Sequence, residues 1–389
     1  MRKGWTEATL GDVADVIGGG TPSTTVPEYW GGEIVWLTPT EVVPRDGQMI
    51  LDSERRITNE GLKNSGAQLL PAGSVILTSR ASVGFVGISG VELCTNQGFQ
   101  SLVPRDSVLA KFLMYWIQSN RVEFESRAAG STFKEISRSN VRSIKMQLPA
   151  LAEQRRIVNL VSSVDTYIDT LQRKADVARD ARKAVLRELL SASGDDWAET
   201  SLDELVLSGV VTLGRGNVIS KKDMEADPGP YPVYSSAQNN DGRIGSYNKF
   251  MFDEELITWS VDGGGHVFYR PHHKFSVTNI GGYLRILDGT KFLYPFLAVV
   301  LQKLHGQHVF DWHNKAHPSV IRKLYNNIPL ASINEQKRIV GIVSSLDEVI
   351  QSTEQNVAKA KSLRSGLLSD LLAGEHEIPE SYDRFLGAA

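Results

Sequence analysis

The sequence predicts an α+β protein. Two unlike heads of irregular, mostly antiparallel sheet with a few helices are joined by two long repeated helices, which pair as an intramolecular antiparallel coiled coil. Three observations predict it: a long stretch near residue 150 recurs near residue 332, both copies have heptad spacing, and short Val/Ile/Phe/Tyr-rich runs broken by Gly, Asn and Pro precede each copy. Such runs are the pattern of short strands and turns.

The repeat comes first because it sets the architecture. Glu153-Gln154-Arg155-Arg156-Ile157-Val158 is answered by Glu335-Gln336-Lys337-Arg338-Ile339-Val340. The same offset pairs Val161-Ser162-Ser163 with Val343-Ser344-Ser345, Asp165 with Asp347, Ile168 with Ile350, Arg182 with Arg364, and Leu189-Leu190 with Leu371-Leu372. Alternate steps of four and three pick out Ile157, Val161, Val164, Ile168, Leu171, Ala175, Ala178, Arg182, Val185 and Leu189 in the first copy. In the second they pick out Ile339, Val343, Leu346, Ile350, Thr353, Val357, Ala360, Arg364, Leu367 and Leu371. This is a coiled-coil seam. Each copy is expected to form one helix of about 38 residues, or roughly 57 Å, with Gly194 and Gly374 at the C-caps. Antiparallel pairing of the two would bring Asp347 to Arg182 and Asp165 to Arg364.

The heads share a sparse frame. In the first, Ser74-Val75-Ile76-Leu77 leads into Thr78-Ser79-Arg80-Ala81-Ser82-Val83-Gly84, then Thr95-Asn96-Gln97, a helix around residues 109–116, and Ser131-Thr132-Phe133-Lys134. In the second, Glu255-Leu256-Ile257 leads into Thr258-Trp259-Ser260-Val261-Asp262-Gly263-Gly264, then Thr278-Asn279, a helix around residues 292–304, and His313-Asn314-Lys315. Trp5 and Trp197 open the halves with similar lead-ins. The expected divisions are therefore 1–148 (first head), 149–194 (first helix region), 195–330 (second head), 331–374 (second helix region) and a tail, 375–389, expected to fold back on the first head.

Composition narrows the class. At 389 residues and 41% apolar, two cores of ordinary size are expected. Cys94 stands alone and can form no internal disulfide, and neither a signal-like segment after Met1 nor a long uncharged apolar run is present, so the expectation is a soluble cytoplasmic protein away from membranes. Forty-two Lys+Arg against 45 Asp+Glu give a net charge of −3. No broad field pulls this chain onto polyanions, so a nucleic-acid surface would need local positive charge or charge shared with a partner.

Enzymatic readings find little support. Gly18-Gly19-Gly20-Thr21 has no Gly-Lys-Ser/Thr sequel and reads as a turn. His266, His272 and His273 follow no zinc spacing and read as surface histidines, so no metal site is expected. Neither a Gly-rich cofactor motif after a strand nor an Asn-Pro-Pro-aromatic sequence occurs, so no catalytic residue is assigned and no methyl donor is expected on this chain.

The Glu-Gln-Arg-Arg-Ile and Glu-Gln-Lys-Arg-Ile helix openings after Leu148-Pro149 and Ile328-Pro329 carry a family resemblance, together with Gly18-Gly19-Gly20-Thr21-Pro22, Tyr29-Trp30, and Gly130 through Ser137. Over nearly its full length the chain resembles the specificity subunits of type I restriction-modification systems. The resemblance implies two target recognition domains that each read one half of a bipartite, asymmetric site in double-stranded DNA. The helices would set the gap and dock two methyltransferase subunits, and translocating restriction subunits would join the assembly. S-adenosylmethionine, and ATP with Mg for restriction, are then expected on the partners, and this chain is a non-catalytic reader.

Base edges favour Arg for guanine and Asn or Gln for adenine, on loops that follow strands. The candidate DNA-contacting residues are Thr78, Ser79, Arg80, Ser82, Gln97, Lys134 and Arg138 in the first head. In the second they are Ser235, Ser236, Gln238, Asn239, Asn240, Ser260, Asp262, His313, Asn314 and Lys315. Helix pairing and subunit docking fall to Glu153, Gln154, Arg156 and Glu335, Gln336, Arg338 together with the seams. Two rival readings stand beside this one: a two-headed peptide- or glycan-binding protein using Tyr29, Trp30, Tyr231 and Tyr234, and a DNA reader for another phage-defence modification system.

Overall fold

A computed structural model describes residues 4–130, 134–191, 197–236, 240–262, 266–311 and 313–385. The chain divides into two compact units, residues 1–172 with 355–389, and residues 173–354. Each contains one head, and each long helix contributes one part to either unit.

In the first unit a five-stranded sheet runs in the order Ala14–Gly18, Gln100–Pro104, Val75–Leu77, Val86–Ser89, Met49–Ile50. A three-stranded sheet holds Arg55–Ile57, Trp30–Leu37 and Leu93–Thr95. Most ladders are antiparallel; the Met49–Ile50 and Leu93–Thr95 pairings are parallel. The helix Ala110–Ser119 buries Phe112, Leu113, Tyr115 and Trp116 against the larger sheet's core. The ends of the head meet as a two-stranded ribbon, Thr6–Thr9 against Lys145–Leu148, directly before the first long helix, Leu151–Ser191.

That helix packs antiparallel on the C-terminal part of the second long helix. Ile157 and Val161 share a cluster with Leu368, Leu371 and Leu372, while Asp165, further along, meets Arg364 at 2.8 Å. Burying each aliphatic side chain contributes on the order of 1.5–3 kcal/mol. The tail returns to this same unit, placing Ile378 in the core and a bidentate Asp383 on Arg156 at 2.7 and 2.8 Å.

The second unit repeats the plan with a different sheet. Its six strands run Val211–Arg215, Gly281–Ile286, Phe252–Ser260, Val267–Val277, Tyr231–Tyr234, Arg243–Tyr247. The helix Tyr294–His305 covers the core, and Glu199–Thr200 pairs with Ile328–Pro329 as the closing ribbon. The second long helix, Ile333–Ala373, begins here, with the Ser332 hydroxyl accepting the Glu335 N–H at 3.3 Å as its cap. Ile339 and Val343 cluster with Leu186, Leu189 and Leu190, Asp347 receives Arg182, and Glu354 receives Arg179. The antiparallel pairing and both seam ion pairs are as the repeat predicts.

Each long helix has 41 residues, slightly more than the heptads alone suggest. Two of the three added residues lie at the start, where the chain turns helical soon after Pro149 or Pro329, and one at the end. Every seam position is buried or half-buried. Gly341 and Gly366 face outward, where an added Cβ would meet nothing within 4 Å. Gly374 follows the second helix at φ +73°, the left-handed C-cap geometry; Gly194 lies outside the described residues.

Candidate nucleic-acid interface

In the first head, backbone hydrogen bonds draw three separated segments into one junction. Ser79 N–H donates to Gly98 O at 2.8 Å, Ile136 N–H donates to Ser79 O at 2.9 Å, and Ala81 N–H donates to Lys134 O at 2.9 Å. The loop after Val75–Leu77, the turn after Thr95-Asn96 and the segment at Lys134 thus share one surface. Arg80, Gln97, Lys134 and Arg138 are exposed on it and Ser82 is half-buried. Arg80 Nε lies 3.8 Å from the Glu135 carboxylate. Ala81 adopts φ +62°, a left-handed conformation uncommon for a residue with a Cβ.

The second head builds the same junction. Val261 N–H donates to Ile280 O at 3.0 Å, in the turn after Thr278-Asn279, and Ala316 N–H donates to Val261 O at 2.9 Å. Lys315 Nζ lies 3.1 Å from the Asp262 carboxylate. His313 and Asn314 are exposed beside it, on a turn whose backbone N–H groups bond the Asp311 carboxylate at 2.7 and 2.6 Å and hold that acid below the usual range. The hydrogen-bond register matches Ser79 with Val261 and Arg80 with Asp262. Sequence landmarks alone set Thr78 beside Thr258, two residues away.

The shared Thr-Asn landmark has a steric meaning. Gly19 crosses Thr95-Asn96 so closely that a Cβ would fall 2.0 Å from Asn96 O, and at Gly216 it would fall 1.9 Å from Val277 O. Gly20 N–H donates to Thr95 O, and Asn217 N–H donates to Val277 O. The Gly18-Gly19-Gly20-Thr21 run is a chain crossing, which is why glycine is required there.

Four expected readers do not reach the surface. The Thr78 hydroxyl donates to Ser82 O and accepts the Phe85 N–H at 3.0 Å, so it is spent on its own turn. Ser79 is fully buried beneath the junction. Ser235 pairs its hydroxyl with Thr278 Oγ1 at 2.7 Å, and Ser260 donates to Asp262 O at 2.7 Å. The Thr78, Ser235 and Ser260 hydroxyls shape the loops. Ser236 is half-buried, Gln238 and Asn239 lie outside the described residues, and Asn240 opens a short turn, Asn240–Gly242, with Asp241 at φ +51°. Two further exposed residues border the junctions: Glu135, beside the Lys134 landmark, and Arg215, which donates to Asn279 O.

Several residues expected to serve docking are engaged by the chain itself. Gln154 and Gln336 are fully buried and make matching contacts. Gln154 accepts the Leu109 N–H at 2.9 Å and donates to Ser107 O and Pro149 O at 3.0 and 2.9 Å. Gln336 accepts the Leu293 N–H at 2.8 Å and donates to Lys291 O and Ala331 O at 2.8 and 2.9 Å. Each glutamine therefore fastens a long helix to the cap of its head helix. Glu153 accepts the Trp5 indole N–H at 3.0 Å, Arg156 holds the tail, and Arg338 pairs with Glu335 at 2.6 Å.

The aromatics of the rival peptide- or glycan-binding reading are half-buried, and three of them, Trp30, Tyr231 and Tyr234, make ring contacts within their own head. Trp30 has Arg55 stacked 3.6 Å from its ring centroid and Trp36 against its edge at 5.0 Å. Tyr234 carries Arg270 at 3.7 Å and gives its hydroxyl to His273, and Tyr231 lies edge-on to Phe250. Tyr29 serves the Thr58 N–H through its backbone carbonyl. No helix among the described residues is long and apolar enough to cross a membrane.

Two α+β heads, each closed by a copy of one long helix and each carrying the same three-segment junction, define a duplicated two-headed protein. The sequence matches the type I restriction modification DNA specificity domain over residues 2–178 and again over 195–361, and the chain belongs to that family. It is 25% identical to the type I restriction enzyme MjaIX specificity subunit of Methanocaldococcus jannaschii, across 98% of this chain and 95% of that one. Its fold is similar to the crystal structure of a type I restriction-modification S subunit from M. genitalium, with TM-score 0.58, 16% identity, and coverage of 96% of this chain and 97% of that chain. A chain from a structure of the complex assembly and conformational transition of the type I R-M system is equally similar, at TM-score 0.58 and 17% identity over 96% of this chain and 98% of that chain.

Proposed function

We propose that this protein is the cytoplasmic DNA-reading subunit of a type I restriction-modification complex. Residues 1–148 and 195–330 are its two target recognition domains, each reading one half of a split, asymmetric site. Residues 149–194 and 331–374 set the gap and dock two methyltransferase subunits, and within the tail, 375–389, Ile378 and Asp383 fasten it to the first unit. The chain is non-catalytic in this reading. Methyl transfer, and ATP-driven restriction where it occurs, belong to partners.

The observation that carries the proposal is one junction built twice with different side chains. A shared backbone frame with head-specific polar groups is what two readers of unlike half-sites need, because phosphate contacts position a protein while base-edge contacts specify sequence. With a net charge of −3 the chain lacks a general polyanion field, so exposed Lys134, Arg138 and Arg215 supply charge locally.

The test is selection from a random duplex library by the chain assembled with its methyltransferase subunits. Enrichment of a motif with two unlike halves and a fixed gap is expected. Retention of the library without sequence enrichment would refute the reading.

A further inference from the structure

The two junctions carry the same ion pair with its charges exchanged. In each head the residue after a buried backbone acceptor, Ser79 or Val261, faces the residue before the matching donor, Ile136 or Ala316. The pair is Arg80 with Glu135 in the first head and Asp262 with Lys315 in the second. We propose that this pair selects one base in each half-site: Arg80, aimed by Glu135, in the first, and Lys315, aimed by Asp262, in the second. The inference rests on the DNA-reading function proposed above.

In the first head the geometry fits a cation that is aimed and still available; in the second the Lys315 ammonium lies 3.1 Å from the Asp262 carboxylate, which engages one of its three donors and leaves two. Arg80 and Glu135 are 47% and 48% exposed, and their 3.8 Å separation is longer than the 2.7–2.9 Å typical of charge-assisted hydrogen bonds. The Arg80 guanidinium makes no hydrogen bond among the described residues, which leaves its donor fork for a purine edge, where guanine offers two acceptors in the major groove. A lone long cation would sample many rotamers, and the facing carboxylate narrows them without consuming the donors. It also cancels the local charge, so the contact favours a matched base over any phosphate.

Backbone strain marks the same spot. Ala81, next to Arg80, sits at φ +62° and is held there by its hydrogen bond to Lys134 O, one residue from Glu135. Such outliers persist where surrounding structure over-determines them, often at ligand clamps. Because the cation leaves the first head from the post-strand loop and the second from the terminal segment, the two heads place their donor differently. Glu135 and Asp262 are positioning residues.

The test uses the full chain with its methyltransferase subunits, sequencing methylated genomic DNA for the motif and melting each complex. Arg80→Ala should relax one position of the first half-site, with discrimination there falling roughly 10- to 100-fold and the second half unchanged. Lys315→Ala should do the mirror experiment. Arg80→Asp combined with Glu135→Lys transplants the second head's pair and should alter the base chosen at that position while melting stays near wild type. If the wild-type motif is found but its first half survives both Arg80→Ala and the transplant, the inference is overturned; the transplant alone decides it if Arg80→Ala does not fold. A wild-type complex with no split motif overturns the DNA-reading function itself.

Discussion

Gln154 caps the helix that begins after Leu109: its side-chain oxygen accepts the Leu109 N–H at 2.9 Å, from a position with no solvent exposure. Replacing it with Leu strands that donor and two backbone carbonyls in a dry site, and each orphaned group costs about 1–3 kcal/mol. Gln154→Leu should therefore destabilise the first unit by at least about 3 kcal/mol, and Gln336→Leu the second. Hydrogen exchange should show faster opening of Ala110–Ser119 in the first variant and of Tyr294–His305 in the second.

The seam ion pairs differ in surroundings, so their losses should differ. Asp165 also accepts the Tyr115 hydroxyl at 2.6 Å, whereas Asp347 meets Arg182 in a more open site. Asp347→Ala should cost under about 1 kcal/mol, and Asp165→Ala about 1–3 kcal/mol. Arg182→Asp should lower the melting temperature and Arg182→Asp with Asp347→Arg should restore most of it. No recovery in the double variant would contradict the antiparallel register.

The tail contact is pH-dependent with a definite sign. The Arg156 guanidinium, through its hydrogen bonds, holds the Asp383 carboxyl below its ordinary value. A carboxyl depressed in the folded state contributes fully above its unfolded pKa of about 3.9 and loses that contribution as pH falls through the lower folded value. Proteolysis at residues 378–385 should accelerate below about pH 4, and Asp383→Asn should cleave at the faster rate already at neutral pH, with little further change on acidification.

Gly341 and Gly366 place no Cβ in a helix whose exposed face has room for one. Alanine at either should raise stability by about 0.8–1 kcal/mol, read by urea denaturation. A destabilised Gly366→Ala variant would mean that the outward orientation is wrong.

Residue interactions close in sequence, or repeated in it, were legible. Heptads declare their seam locally, and the repeat offset predicted Arg182 with Asp347 and Arg364 with Asp165. The roles of Gln154 and Gln336 were not, because a glutamine in an amphipathic helix resembles a surface residue until backbone groups some 45 residues away arrive to bond it. Ser79 and Ser260 misled for the converse reason: hydroxyls read as surface groups, yet here the fold buries them beneath a three-segment junction. The exchanged ion pair was invisible because its members align only through hydrogen-bond register, two residues from the landmark match at Arg80 and one residue from it at Glu135.

Head exchange tests the division into two readers most directly. Residues 1–148 or 195–330 are replaced by the corresponding head of another family member, the complex is expressed with its methyltransferase, and the methylated motif is sequenced. Each exchange should change one half of a split, asymmetric motif and leave the other half intact. A motif unchanged by both exchanges, or altered throughout by either, would contradict it.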